Sequence, residues 1–278
     1  MQLPPFGSRL NVPQFALKRI TSDANPVYRM LLKLARSSRE RRNQAVTLLD
    51  GVHLVDAYLR CGGKPRQVVV AQDALSDPGI CAVLKRIPEP AVIVATALFR
   101  ALTDLRTPSG ILATIDIPTP SPPRPPPGCW ILLEDIQDPG NVGSILRSAA
   151  AADVSDAWLS KGCADPWSPK VLRAAMGAHF ALNIHDRADI ADAALRFPGQ
   201  VVALMTLATR SLYEINLAGP VAFALGNEGA GLSSRLLQTA TEQAAIPMYG
   251  NTESLNVAAS AAICLFERLR QLAAPPGR

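Results

Sequence analysis

Five polar residues that follow short apolar runs are the first candidates for chemistry in this chain: Asn141, Arg147, Glu228, Ser254 and Asn256. After Trp130-Ile-Leu-Leu133 comes Glu134-Asp-Ile-Gln-Asp-Pro-Gly-Asn-Val-Gly-Ser-Ile-Leu-Arg147. Pro139-Gly140 reads as a forced turn, with Asn141 and Gly143 in the loop. Arg147 then falls about one turn into the following helix, where its guanidinium can point back at whatever the loop holds. After Val221-Ala-Phe-Ala-Leu225 comes Gly226-Asn-Glu-Gly-Ala-Gly231. Its glycines let backbone approach a ligand, and Glu228 among them needs a partner if it is buried. After Ala244-Ala-Ile246 comes Pro-Met-Tyr-Gly-Asn-Thr-Glu-Ser-Leu-Asn256, entering the small-residue helix Val257-Ala-Ala-Ser-Ala-Ala262. Ser254 and Asn256 there either complete a polar pocket or cap that helix. The chain has no GxGxxG after a strand and no GxxxxGK[ST], which argues against a standard dinucleotide fold and a P-loop enzyme. His53, His179 and His185, with Cys61, Cys81, Cys129, Cys163 and Cys264, lack metal-ligand spacing, so no metal is expected.

The elements that must position these groups are legible as apolar runs. Trp130–Leu133, Ala157–Leu159, Val201–Met205, Val221–Leu225 and Ala244–Ile246 are short and continuous, as parallel strands covered on both faces should be. Ligands of such sheets bind beyond the carboxyl ends of the strands, where the polar loops lie. Upstream, Asn25-Pro26 reads as an N-cap with proline at the first helical position. Val27, Met30, Leu31, Leu34 and Ala35 follow at helical spacing. Val46–Leu59 looks helical in its second half, while Gln67–Ala71 and Ala91–Ala95 look like buried strands, so a small α/β domain precedes the larger one. Between them, residues 117–128 hold 7 of the 24 prolines and read as an extended, semi-rigid spacer. The expected organisation is a front domain over residues 1–116, the linker, and a back domain over 129–278.

Residues 1–116 carry 16 Lys+Arg against 9 Asp+Glu, whereas residues 129–278 carry 11 against 14. The net charge of +5 therefore hides a basic front and a mildly acidic back, and the front is expected to meet an anionic partner, nucleic acid first. Its densest cationic stretch is Arg36, Arg39, Arg41 and Arg42. A hydrophobic content of 48% excludes wholesale disorder, and no apolar run reaches the roughly 18 residues of a membrane helix. A globular protein of the reducing cytosol is expected, with no membrane partner.

The three loops together resemble the three motifs of the SpoU (TrmH) branch of the SPOUT RNA methyltransferases. Asp138-Pro-Gly-Asn141-Val-Gly143-Ser-Ile-Leu-Arg147 is similar to the first, Leu225-Gly-Asn-Glu228-Gly-Ala-Gly231 to the second, and Ile246-Pro-Met248 with Ser254-Leu-Asn256-Val-Ala to the third. Lys170–Ala178 is similar to a stretch between the first two, with Ala175 where the family often has serine. The front domain resembles, more loosely, a substrate-binding domain related to ribosomal RNA-binding proteins. That likeness rests on Ile20-Thr-Ser22, Asn25-Pro26, Arg39–Arg42, Leu49–Val55 and Thr107–Gly110, with Asp50 in place of the usual glutamate.

The resemblance implies an α/β chain whose parallel-sheet C-terminal domain carries a trefoil knot. It implies methyl transfer from S-adenosylmethionine to a ribose 2′-hydroxyl of RNA, rRNA ahead of tRNA, by a homodimer whose site is shared between subunits. Arg147 would hold the acceptor, Asn141 would orient Arg147 or the ribose, and Glu228, partnered by amides and an arginine, would anchor the loops. Ser254 and Asn256 would complete the polar pocket. Leu225, Gly226, Ile246, Met248 and Leu255 would hold the donor, chiefly by backbone groups and an apolar wall.

Overall fold

The computed structural model describes residues 18–123 and 128–273; residues 124–127 of the expected linker lie outside them, as does the start of the expected front domain. The front part runs β1 (Lys18–Ile20), α1 (Pro26–Arg36), α2 (Ser38–Gln44), β2 (Val46–Asp50), α3 (Val52–Arg60), β3 (Gln67–Ala71), α4 (Pro78–Leu84), β4 (Val92–Val94), α5 (Thr96–Arg100) and β5 (Ile111–Asp116). Asn25 caps α1 by accepting from the amides of Val27 and Tyr28, and Tyr28, Leu31 and Leu34 form its buried face. The sheet order is β1-β4-β3-β5-β2. β1, β4 and β3 are parallel, and β5 runs antiparallel to both β3 and β2.

The back part runs β6 (Cys129–Leu133), α6 (Pro139–Ala151), β7 (Asp156–Leu159), α7 (Pro169–Ala175), β8 (Asn183–His185), α8 (Ile190–Arg196), β9 (Gln200–Leu204), β10 (Arg210–Ser211), β11 (Val221–Leu225), α9 (Ser234–Leu237), β12 (Glu242–Ala245) and α10 (Val257–Ala273). All seven strands are parallel, in the order β10-β12-β9-β11-β6-β7-β8. Alternate residues serve the two faces. Ile131, Leu133, Phe223 and Leu225 pack in one cluster with residues of α6, α7 and α10, and Trp130, Leu132, Ala222 and Ala224 in another with residues of α8 and α9. The chain runs outward from β6 through β7 and β8 on one side, then crosses to the other side, where β9, β10, β11 and β12 follow and β11 lies beside β6. The order thus reverses between β6 and β11, which opens a crevice at their carboxyl ends. Among the described residues no helix is long and apolar enough to cross a membrane.

The two parts are packed together. Leu49, Val68 and Ile111 of the front sheet belong to the same buried cluster as Ile131 and Leu172 of the back. Thr47 donates its hydroxyl to the Trp167 carbonyl. Asp50, buried at the end of β2, accepts from Arg173 of α7 at 2.8 Å, and from Thr103 and Ser109. The unusual aspartate is therefore one half of a junction ion pair. The proline-rich stretch is tied down where it is described. The Ile117 amide donates to Ala45 at 2.8 Å and its side chain packs on the shared core, while Ser121 exchanges two hydrogen bonds with the Asn183 side chain.

Candidate active site

The first loop differs from its sequence reading. Asp138 accepts from the Asn141 amide at 2.8 Å as an N-cap, so Pro139-Gly140 is the first turn of α6 and not a separate turn before it. Asn141 and Gly143 are therefore helical, and Arg147 lies about two turns along α6.

Asn141 is the hub of the site. Its Nδ2 donates to Oε1 of Glu228, and its Oδ1 accepts from Nδ2 of Asn256 at 3.0 Å. Asn256 in turn accepts on Oδ1 from the amides of Ala258 and Ala259, capping α10. The helix amides fix which end of Asn256 is the oxygen, that fixes Asn141, and Asn141 then meets only one oxygen of Glu228. One residue from each motif is thus joined in a single relay, and Asn256 both caps a helix and builds the pocket. Glu228 is exposed rather than buried, and its partner is Asn141; among the described residues no arginine pairs with it. Asn141 correspondingly orients no arginine.

Other bonds join the loops from behind. Glu134 accepts from the Ser233 amide and hydroxyl, each at 2.7 Å, and Asn227 donates from Nδ2 to the Asp135 carbonyl at 2.9 Å. The second loop closes on itself, with the Gly231 amide bonded to the Asn227 carbonyl. A Cβ on Gly226 would lie 2.4 Å from the carbonyl of Gly231, so glycine is required there by the loop's own backbone.

These loops border a cavity of about 790 Å³ at the carboxyl ends of β9, β11 and β12, with Asp138 and Asn141 of the first loop on its edge. Leu225, Gly226, Ile246, Met248 and Leu255 all line it, as do Asn141, Glu228, Ser254 and Asn256. The wall also includes Leu204, Met205, Thr206 and Leu207 at the end of β9. These four were missed in the sequence although they obey the same strand-end rule, because the segment carries no polar or glycine-rich signature. Among the described residues, the backbone groups of Gly226, Ile246 and Leu255 have no protein hydrogen-bond partner. Arg147 is exposed and does not line the cavity.

Of the basic cluster, Arg36, Arg39 and Arg42 are exposed, and Arg36 reaches the Ala101 carbonyl at 3.3 Å. Arg41 is not available to an outside partner. Its side chain is 5% exposed, it pairs with Asp165 through Nε at 2.9 Å and through Nη2, and Nη1 donates to the Leu34 carbonyl at 2.6 Å. It holds the last carbonyls of α1 and joins the front part to the back.

Residues 128–266 match the model of the SpoU rRNA Methylase family. The chain belongs to that family. The SpoU chain is 34% identical to an uncharacterized tRNA/rRNA methyltransferase of Synechocystis, over 93% of its own length and 96% of the relative's. It is 30% identical to the 23S rRNA (guanosine(2553)-2′-O)-methyltransferase RlmP of Bacillus subtilis, over 90% and 98%. Its fold matches the crystal structure of an RNA 2′-O ribose methyltransferase at a TM-score of 0.76 and 31% identity, covering 91% of the SpoU chain and 98% of the other. It also matches an AdoMet-bound rRNA methyltransferase from Sinorhizobium meliloti at 0.79 and 28%, covering 93% and 99%. These matches span the front part as well as the catalytic sheet.

Proposed function

We propose that the chain transfers a methyl group from S-adenosylmethionine to a ribose 2′-hydroxyl of RNA, and that the RNA is ribosomal. The observation that carries this is the convergence of the three motif loops on one crevice, with Glu228, Asn141 and Asn256 joined in a fixed relay at its polar side. The cavity fits the cofactor. Its volume lies in the range of small-molecule sites, roughly 300–1,000 Å³. Leu225, Ile246, Met248 and Leu255 supply apolar wall, and the unpartnered backbone groups supply hydrogen bonds for a nucleoside edge. Glu228 and Asp138 on the lining favour a positive sulfonium.

When bound, S-adenosylmethionine supplies an electrophilic methyl group, so the protein has mainly to align the acceptor and ease loss of its proton. Asn141 is held rigidly for this by Glu228 and Asn256, which leaves the second oxygen of Glu228 free to accept from a ligand hydroxyl. Arg147 suits the acceptor phosphate and the developing alkoxide through its paired N–H groups. Because it stands outside the cavity of its own chain, we assign it to the cavity of a second copy in a homodimer. The outward face of α10, with the exposed Ala259 and the half-exposed Phe266 two turns apart, supports that pairing. The trefoil knot belongs to the same reading, as does a reducing cytoplasmic setting, which the five free cysteines support. The expected front, linker and back division enters it as an RNA holder locked onto a catalytic sheet.

Mixing two inactive variants tests the shared site. Arg147→Ala removes the acceptor group, and Gly226→Val drives the second loop into the donor cavity. Co-refolded, they should regain about a quarter of wild-type turnover, because half the dimers are mixed and each has one intact site. No recovery, with mixed dimers verified by mass, overturns the shared site.

A further inference from the structure

The front helix α2 and the loop after β7 are held together by the Arg41–Asp165 pair, on the side of the sheet where the cavity opens. The elements that carry that pair also carry three exposed cations, Arg39 and Arg42 on α2 and Lys161 in the β7–α7 loop, and a fourth, Arg187, follows β8. Arg42 and Arg187 both lie close enough to Asp186 to stabilise its charge, so the α2 cations and the β8 end share one neighbourhood. The β7–α7 loop is fastened in turn to the first motif loop. The Ser160 hydroxyl accepts from the Asp135 amide at 2.9 Å and donates to the Asp135 carboxylate, and a Cβ on Gly162 would fall 2.1 Å from that carboxylate. Asn227 of the second motif loop holds the Asp135 carbonyl. Lys161 therefore lies on a loop bonded to α2 through Asp165 and to the first motif loop through Ser160.

The nearby carboxylates are Glu40, which accepts from Gln44; Asp189, which pairs with Arg235; and Asp165, Asp186 and Asp135. Asp165 is spent on Arg41, and Asp186 is partly withdrawn and held toward its neutral form by burial and by Asp165. Among the described residues none of the four cations has an ion-pair partner. Exposed cations left unpaired on three mutually bonded or neighbouring elements suit a polyanion better than a structural network.

We infer that Arg39, Arg42, Arg187 and Lys161 form one phosphate-binding track that carries RNA from the front part to the cavity, with Arg187 and Lys161 as RNA-contacting residues of the catalytic part. The inference rests on the proposed RNA substrate and adds where the RNA backbone runs. Spacing along the sequence conceals it, since Arg39 and Arg187 are far apart in the chain. The track positions the nucleic acid without reading bases, because exposed ammonium and guanidinium groups on a helix and two loops meet phosphates.

The test measures equilibrium binding of the full chain to protein-free total ribosomal RNA across a salt series. Lys161→Ala/Arg187→Ala should lower affinity and reduce the slope of log K against log salt by about 1.4–1.8, two phosphate contacts at about 0.7–0.9 each. Between roughly 50 and 200 mM salt, the affinity lost should then shrink by about seven- to twelvefold. Binding of S-adenosylmethionine and the melting temperature should stay unchanged. Arg60→Ala/Arg196→Ala, which removes two exposed cations already paired with Asp56 and Asp192, should leave the slope unchanged. If the Lys161/Arg187 variant keeps the wild-type slope while Arg39→Ala/Arg42→Ala lowers it, the track stops at the front part and the inference fails. A wild-type chain that binds no RNA at all refutes the proposed function instead.

Discussion

Replacing Arg41 by alanine separates a structural arginine from an RNA-binding one. The side chain is 5% exposed and its partner Asp165 12%, so removing the guanidinium leaves a carboxylate largely buried without its counter-charge. It also strands the Leu34 and Ala35 carbonyls, bonded to Nη1 at 2.6 and 3.3 Å, at the end of α1. Breaking a buried pair from one side costs about 3–5 kcal/mol. At about 2–4 °C per kcal/mol, the melting temperature should fall by roughly 10 °C. Arg39→Ala and Arg42→Ala remove exposed side chains and should each change stability by less than about 0.5 kcal/mol. Differential scanning calorimetry and salt-dependent RNA binding should therefore sort the three in opposite orders. Arg41→Ala should melt early and, at temperatures where it is folded, keep the wild-type salt slope. An Arg41→Ala protein that melts within 2 °C of wild type yet loses about one unit of salt slope would refute the reasoning, since one phosphate contact contributes about 0.7–0.9.

Asn256→Ala should lose about 1 kcal/mol of stability with the α10 cap and most of the turnover with the relay; Asn256→Asp should restore the cap but not turnover, because a carboxylate cannot donate to Asn141. Gly226→Ala should weaken S-adenosylmethionine binding by about tenfold in calorimetry, as the Gly231 segment yields to the new methyl group. Burial holds His179 down at about 4, with its Nε2–H donated to the Pro166 carbonyl. The unfolded chain therefore binds this proton first, and acidification from pH 7 to 5 should cost about 2 kcal/mol in urea titrations. His179→Gln should flatten that part of the profile.

The central strands β6, β7, β9 and β11 of the back sheet were legible because they are buried on both faces and so read as short apolar runs. Of the strands, β1, β2, β5, β8 and β10 escaped. β8 and β10 are too short to show a period, two of the three residues of β1 are charged, β2 runs straight into the helical pattern of α3, and Thr114 interrupts the apolar run of β5. The motif residues found each other because the loops leave neighbouring strand ends, which the rule for parallel sheets anticipates. The start of α6 was misread although the signal was present. Asp138-Pro139 is the same cap-then-proline pair as Asn25-Pro26, and the proline-glycine dipeptide masked it. Arg41 could not have been recognised from its surroundings. Ser-Ser-Arg-Glu-Arg-Arg is uniformly polar, and the carboxylate that buries Arg41 lies 124 residues away.

The central claim is most directly tested by where the methyl group goes. The protein should be incubated with radiolabelled S-adenosylmethionine and protein-free ribosomal RNA, and the RNA hydrolysed in alkali. Label confined to an alkali-resistant dinucleotide, at one position and absent with Asn141→Ala, is the predicted result. Label released as a methylated base, or transfer to tRNA with ribosomal RNA untouched, would contradict the account.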